Sequence, residues 1–215
     1  MSRLSNPGAR LPRRVTQLFA GLVLYGISMA FMVESSLGLT SWDVFHQGVS
    51  KATGLSFGLV VILAGIPILA LWIPLRQKPG FGTIANLVVI GFVVDGALAL
   101  LAPGDSMAMR ITYLIVGIAL NGVSTAMYIG ANFGPGPRDG LMTGIVNRFP
   151  RLSIRVVRTS IEILVLAVGF LLGGTVGLGT VAYALAIGPL VQIFMPVFAI
   201  PARPATTPVP APAGR

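Results

Sequence analysis

Acidic side chains are scarce in this chain of 215 residues, six in all, and the placement of four of them raises a question of chemistry. Asp95 stands inside the apolar run from Ile90 to Leu101. A carboxylate within a membrane span costs about 2.5 to 3.5 kcal/mol, so such a group is kept to bind a cation or carry a proton, or it packs beside a neighbour on its own helical face. Here that neighbour is Gly91, and Asp95 lies toward one end of its run. Asp43 and Asp139 sit in two related segments, Gly38-Leu-Thr-Ser-Trp-Asp-Val-Phe-His-Gln-Gly48 and Gly134-Pro-Gly-Pro-Arg-Asp-Gly-Leu-Met142. Each reads as a breaker, a cap and a short helix with aspartate in the third place; Thr40 is the cap of one, and Pro137 takes the favoured first position of the other. Free amides and the helix dipole stabilise an aspartate there by about 0.3 to 1 kcal/mol. Capping alone accounts for both carboxylates, and a ligand or coupling-ion role is the competing reading. Arg138, beside Asp139, either marks a boundary of the chain's path or joins that ligand site.

The fourth acidic residue, Glu162, follows Arg158 by one helical turn, which favours a structural ion pair. Two neutral polar groups complete the candidates. Tyr25 and Ser28 share a helical face with Gly21, as Asn121 and Ser124 do with Gly117. A polar patch near mid-membrane competes there with plain helix packing, in which interhelical hydrogen bonds contribute about 1 kcal/mol. The substrate- or ion-binding set read from the sequence is therefore Asp95, Asp43, Asp139, Arg138, Asn121, Tyr25, Ser28 and Ser124. His46, the one histidine, reads as a surface or interfacial residue rather than a proton relay.

No cysteine is present, which removes disulfides and thiolate metal sites, and a single histidine leaves no zinc cluster to build. A His-Glu-x-x-His motif, paired intramembrane aspartates and a Ser/His dyad are all lacking. We expect no enzyme activity, no cofactor and no metal. The net charge of +9 invites a nucleic-acid reading, but the fifteen Lys and Arg residues sit at the ends of apolar runs. That is the pattern of membrane orientation, and no nucleic-acid partner is expected.

Hydrophobic residues make up 54% of the chain and charged ones 10%, with a mean hydropathy of +0.87. That excess needs lipid as its solvent. Apolar stretches run roughly over 15 to 33, 56 to 75, 82 to 102, 110 to 131, 156 to 173 and 179 to 200. At about 1.5 Å per residue each is long enough to cross a core of about 30 Å, the fifth least securely because its first turns are charged. The first stretch reads as a retained span rather than a secretory signal, having no small-residue cleavage site. Counting Lys and Arg on alternate sides of six spans leaves Lys51 and Arg110 on one side and the other thirteen on the opposite one, which is assigned to the cytoplasm. Both termini fall on that side.

Sliding the chain on itself by 96 or 97 residues reveals a repeat. Thr16, Leu18, Gly21, Leu24, Gly26, Ser28 and Ala30 recur as Thr112, Leu114, Gly117, Leu120, Gly122, Ser124 and Ala126. Gly38, Asp43 and Gly48 return as Gly134, Asp139 and Gly144, and Gly80, Gly82, Thr83, Ala85, Ile90 and Gly91 as Gly177, Gly179, Thr180, Ala182, Ile187 and Gly188. Three spans per copy is an odd number, so the second copy enters the membrane from the opposite side. The expected fold is an all-α polytopic membrane protein: about six transmembrane helices as two inverted three-helix repeats, each with a short interfacial or re-entrant helix. The expected organisation is a basic cytoplasmic tail over 1–14, the repeats over 15–104 and 105–200, and a disordered Pro/Ala-rich cytoplasmic tail over 201–215.

The segments 38–48 and 134–142, with Gly177-Leu-Gly-Thr180 and Ile187-Gly-Pro-Leu190, resemble the YczE-like bacterial membrane proteins of the YczE/YyaS/YitT group. The resemblance covers nearly the whole chain apart from its tails, and it implies a multi-pass protein of the bacterial cytoplasmic membrane without implying an activity. Transport of a small molecule or ion is favoured by the inverted repeat and the polar positions within spans. A non-transporting accessory or scaffold protein is the alternative, favoured by the sparse charge within spans. Beyond the lipid bilayer and such a substrate, no partner is implied.

Overall fold

Continuous apolar runs interrupted by glycine and proline become helices, and in a computed structural model describing residues 10–200 every regular element is one. In chain order they are α1 (Arg10–Ser35), α2 (Ser41–Thr53), α3 (Phe57–Trp72), α4 (Phe81–Leu100), α5 (Met107–Gly130), α6 (Pro137–Arg148), α7 (Ile154–Leu171) and α8 (Leu178–Phe198). Local chemistry sets their starts. Thr40 Oγ1 accepts from the Asp43 amide at 3.2 Å, and Ser56, Ser106 and Ser153 cap α3, α5 and α7 in the same way. At α4 and α8 a glycine amide, of Gly80 or Gly177, donates back to the hydroxyl of Thr83 or Thr180.

The helices of the second half begin 96 or 97 residues after those of the first, and the loops agree as well. Ser36 and Asn132 both have φ near +55°, at 52° and 57°, while Gly38 and Gly134 adopt φ of 123° and 112°, which side-chain-bearing residues avoid. Tertiary bonds recur at the same offset. Arg14 Nε donates to the Ala131 carbonyl and Arg110 Nε to that of Ser35, each at 2.9 Å. Likewise the Gly82 amide donates to Phe133 O and the Gly179 amide to Leu37 O.

At the centre α1 crosses α5, with Gly21 against the Ser124–Tyr128 turn and Gly117 against Ser28 and Met32; no Cβ would fit at either glycine without displacing its neighbours. α4 packs on α1 and α8 on α5, while α2 lies across α7 and α6 across α3. The correspondence fails most plainly in one place. α3 packs along α4, but no comparable packing joins α7 to α8.

Among the described residues four helices are long and apolar enough to cross a membrane: Leu11–Ser35, Phe81–Leu100, Met107–Gly130 and Leu178–Phe198. The short α2 and α3, bent by 111° where they meet, would add a fifth if the pair is one broken span rather than a re-entrant loop. The expected stretches 56–75 and 156–173 fall short for physical reasons. α3 has 16 residues, about 24 Å at the helical rise, and α7 carries Arg155, Arg158 and Glu162. A second difference concerns the first boundary, because α1 already starts at Arg10 and so includes residues expected in the basic tail. Arginine is a good helix former, and a proline near the start, here Pro12, lacks an amide that would have no intrahelical partner anyway. Residues 1–9 and the expected Pro/Ala-rich tail over 201–215 lie outside the described residues.

Candidate functional site

The first turns of α2 and α6 converge from the two halves. Trp42 and Arg138 occupy equivalent places 96 residues apart, and they touch: the Arg138 guanidinium carbon lies 4.8 Å from the centre of the Trp42 ring. A contact between equivalent residues places that point on the relation between the halves. Asp43 is buried behind it, 4.0 Å from Arg138 Nη2 and 3.5 Å from His46 Nδ1. The second distance is too long for a good hydrogen bond, and among the described residues Trp42 Nε1, Asp43 Oδ1 and His46 Nδ1 have no hydrogen-bond partner. His46, expected at a surface or interface, is only 1% exposed. It sits among Trp42, Phe45 and Phe57, because α2 turns its polar face inward between α3 and α7.

These turns border a cavity of about 590 Å³ that all eight helices help to line. Asp139, Arg138, Trp42 and His46 face it from the short helices, with Tyr25, Tyr128 and Tyr183 from the long ones and Ile68, Leu87, Ile90 and Met142 among its apolar wall. Tyr128 OH donates to Asp139 Oδ2 at 3.2 Å. Arg158 and Glu162, also on the wall, pair with each other at 2.9 Å. Each aspartate on the short helices occupies the third position of its helix, where the dipole favours an anion.

The sequence candidates divide. Asp139, Arg138 and Tyr25 line the cavity, and Asp43 stands directly behind Arg138. Asn121, Ser28 and Ser124 are fully buried and form the layer beneath. Asn121 donates to Ser28 Oγ at 2.9 Å and accepts from Tyr183 OH at 2.9 Å, while the two serine hydroxyls bond to carbonyls of their own helices. Asp95 is elsewhere. Its carboxylate accepts from Ser56 Oγ and from the Gly58 amide, both at 2.6 Å, and so closes the start of α3 onto α4.

Several wall residues escaped the sequence reading. Asn86 and Tyr183, both on the wall, are equivalent under the 97-residue shift, just as Tyr25 and Asn121 are under the 96-residue one. Each half thus supplies one tyrosine and one asparagine in exchanged places. That exchange was visible in the aligned repeat but carries no identity to draw attention. Tyr128 and Trp42 gave no polar signal, since each reads as part of an apolar face.

An all-helical chain with several apolar helices around a polar interior cavity is a polytopic membrane protein. Residues 12–196 match a family of unknown function, DUF6198, and the chain belongs to that family of YczE-like membrane proteins. It is 41% identical over 187 residues to an uncharacterized protein of Haemophilus influenzae, covering 87% of this chain and 85% of the other. It is also 29% identical over 185 residues to the uncharacterized membrane protein YczE of Bacillus subtilis (85% and 86% covered), and 26% identical over 185 residues to YyaS of the same species (82% and 90%). No solved structure matches the chain.

Proposed function

We propose that the protein is a small transporter of the bacterial cytoplasmic membrane, working by alternating access to the cavity between its halves. In this reading the chain crosses the membrane six times as two inverted repeats, with α3 and the charged α7 crossing as short spans beside the four longer helices and both termini in the cytoplasm. α2 and α6 re-enter from opposite faces, and their first turns meet within the membrane. The observation that carries the proposal is the unequal closure around one cavity. α3 is packed on α4 and clasped by Asp95, whereas α7 and α8 stand apart, and Gln192, the equivalent of Asp95, faces the cavity instead. Inverted repeats exchange such arrangements when access switches, so closing α7 on α8 and opening α3 from α4 yields the second state.

Topology is tested first. The chain has no native cysteine, so a single cysteine at Ser50 is expected to react with an impermeant maleimide in intact cells, and one at Asn147 is not. Equal labelling of both would remove the inverted arrangement. Alternating access is tested with a cysteine at Thr125, on the cavity wall. We expect labelling both in intact cells and in inside-out vesicles. A non-transporting scaffold would leave that position open to one side at most.

A further inference from the structure

We propose that the cavity takes a small zwitterion, an ammonium and a carboxylate on one apolar body, as in an apolar α-amino acid. This rests on the cavity being the substrate site. Its charges are one guanidinium, Arg138, against two carboxylates, Asp43 and Asp139, and the adjoining Arg158–Glu162 pair is balanced in itself. The two helix starts beside these groups each add about half a positive charge. The cluster is therefore close to neutral, and a lone cation or a lone anion would leave an uncompensated charge in a poorly solvated space. A dipolar ligand leaves none.

The unused hydrogen-bonding groups match the two ends of such a ligand. Among the described residues no hydrogen bond ends on the Arg138 guanidinium, which lies on Trp42. The guanidinium lines the cavity and suits a carboxylate. Asp139, the next residue on the same helix, accepts from the Tyr128 hydroxyl alone among the described residues and keeps acceptor capacity for an ammonium. Opposite charges on consecutive residues suit the short separation of the charges in an α-amino acid. The remaining wall, with Ile68, Leu87, Ile90 and Met142, accepts an apolar side chain, and a volume of about 590 Å³ is of the size of small-molecule sites.

The test measures how far ligands slow maleimide labelling of the Thr125→Cys protein. The probes are phenylalanine, leucine and methionine, each beside its amide, which lacks the carboxylate, and its N-acetyl derivative, which lacks the ammonium. At least one of the three zwitterions is expected to protect at concentrations at least tenfold lower than either derivative. Arg138→Met should abolish that advantage over the amide, and Asp139→Asn the advantage over the N-acetyl form. The comparison needs no variant beyond the cysteine, so misfolding of the charge variants does not decide it. Failure of Thr125→Cys to label would strike the cavity reading itself. Labelling that no zwitterion slows, or that an amide or N-acetyl form slows equally well, would overturn the zwitterion and leave the cavity standing.

Discussion

Replacing Asp95 by alanine should destabilise the protein by about 1.5 to 3 kcal/mol, the usual contribution of hydrogen bonds to a charged acceptor. Two short bonds are lost, from Ser56 Oγ and the Gly58 amide, both at 2.6 Å. The start of α3 also loses the anion that its dipole favours. Asp95→Asn keeps an acceptor oxygen without the charge and should fall between the wild type and alanine. Resistance to unfolding in a detergent titration measures the series. In the transport reading the same change frees α3 from α4 and should raise labelling of Thr125→Cys from the outer side. If alanine leaves both stability and labelling unchanged, the carboxylate does not hold these helices together. That the residue most suggestive of ion binding in the sequence serves as a clasp follows from its place on α4, where it meets the start of α3 rather than the central cavity.

Gly140→Val should cost about 1 to 3 kcal/mol or more, because a side chain there would overlap the ring of Trp72. Trp72 is 1% exposed and cannot yield without breaking the bond from its Nε1 to Pro137 O at 3.1 Å. That bond fixes the first turn of α6, and with it Arg138 and Asp139 on the cavity wall. Trp72→Leu makes room at the same contact. The double variant should therefore be more stable than the sum of the single losses, by about 0.5 to 3 kcal/mol. Strict additivity would mean that the two positions do not share a contact. The other half has the same contact with the sizes exchanged: Gly169 replaces Trp72 and packs on α2 at Val44 and Phe45, Val44 being the equivalent of Gly140.

Much of this architecture is legible in the chain because it rests on local physics. Continuous apolar runs must be helices in lipid, serine and threonine mark helix starts, and a copy displaced by 96 or 97 residues repeats caps, loops and positive φ angles. The first turns of α2 and α6, with Asp43 and Asp139 in the third position, follow from glycine, proline and threonine alone. Which faces meet does not follow. Periodicity tells which residues share a side of one helix, but the partner of that side is set by close approach elsewhere, such as Gly21 and Gly117 at the crossing of α1 and α5. Tertiary structure therefore decided that Asp95 closes α3 onto α4, that His46 is buried among aromatic rings, and that Arg138 lies on Trp42. It also decided that Tyr128 and Tyr183 join the cavity, for a tyrosine on a long helix is apolar in its ring and polar only at its tip, and only packing determines which end is used.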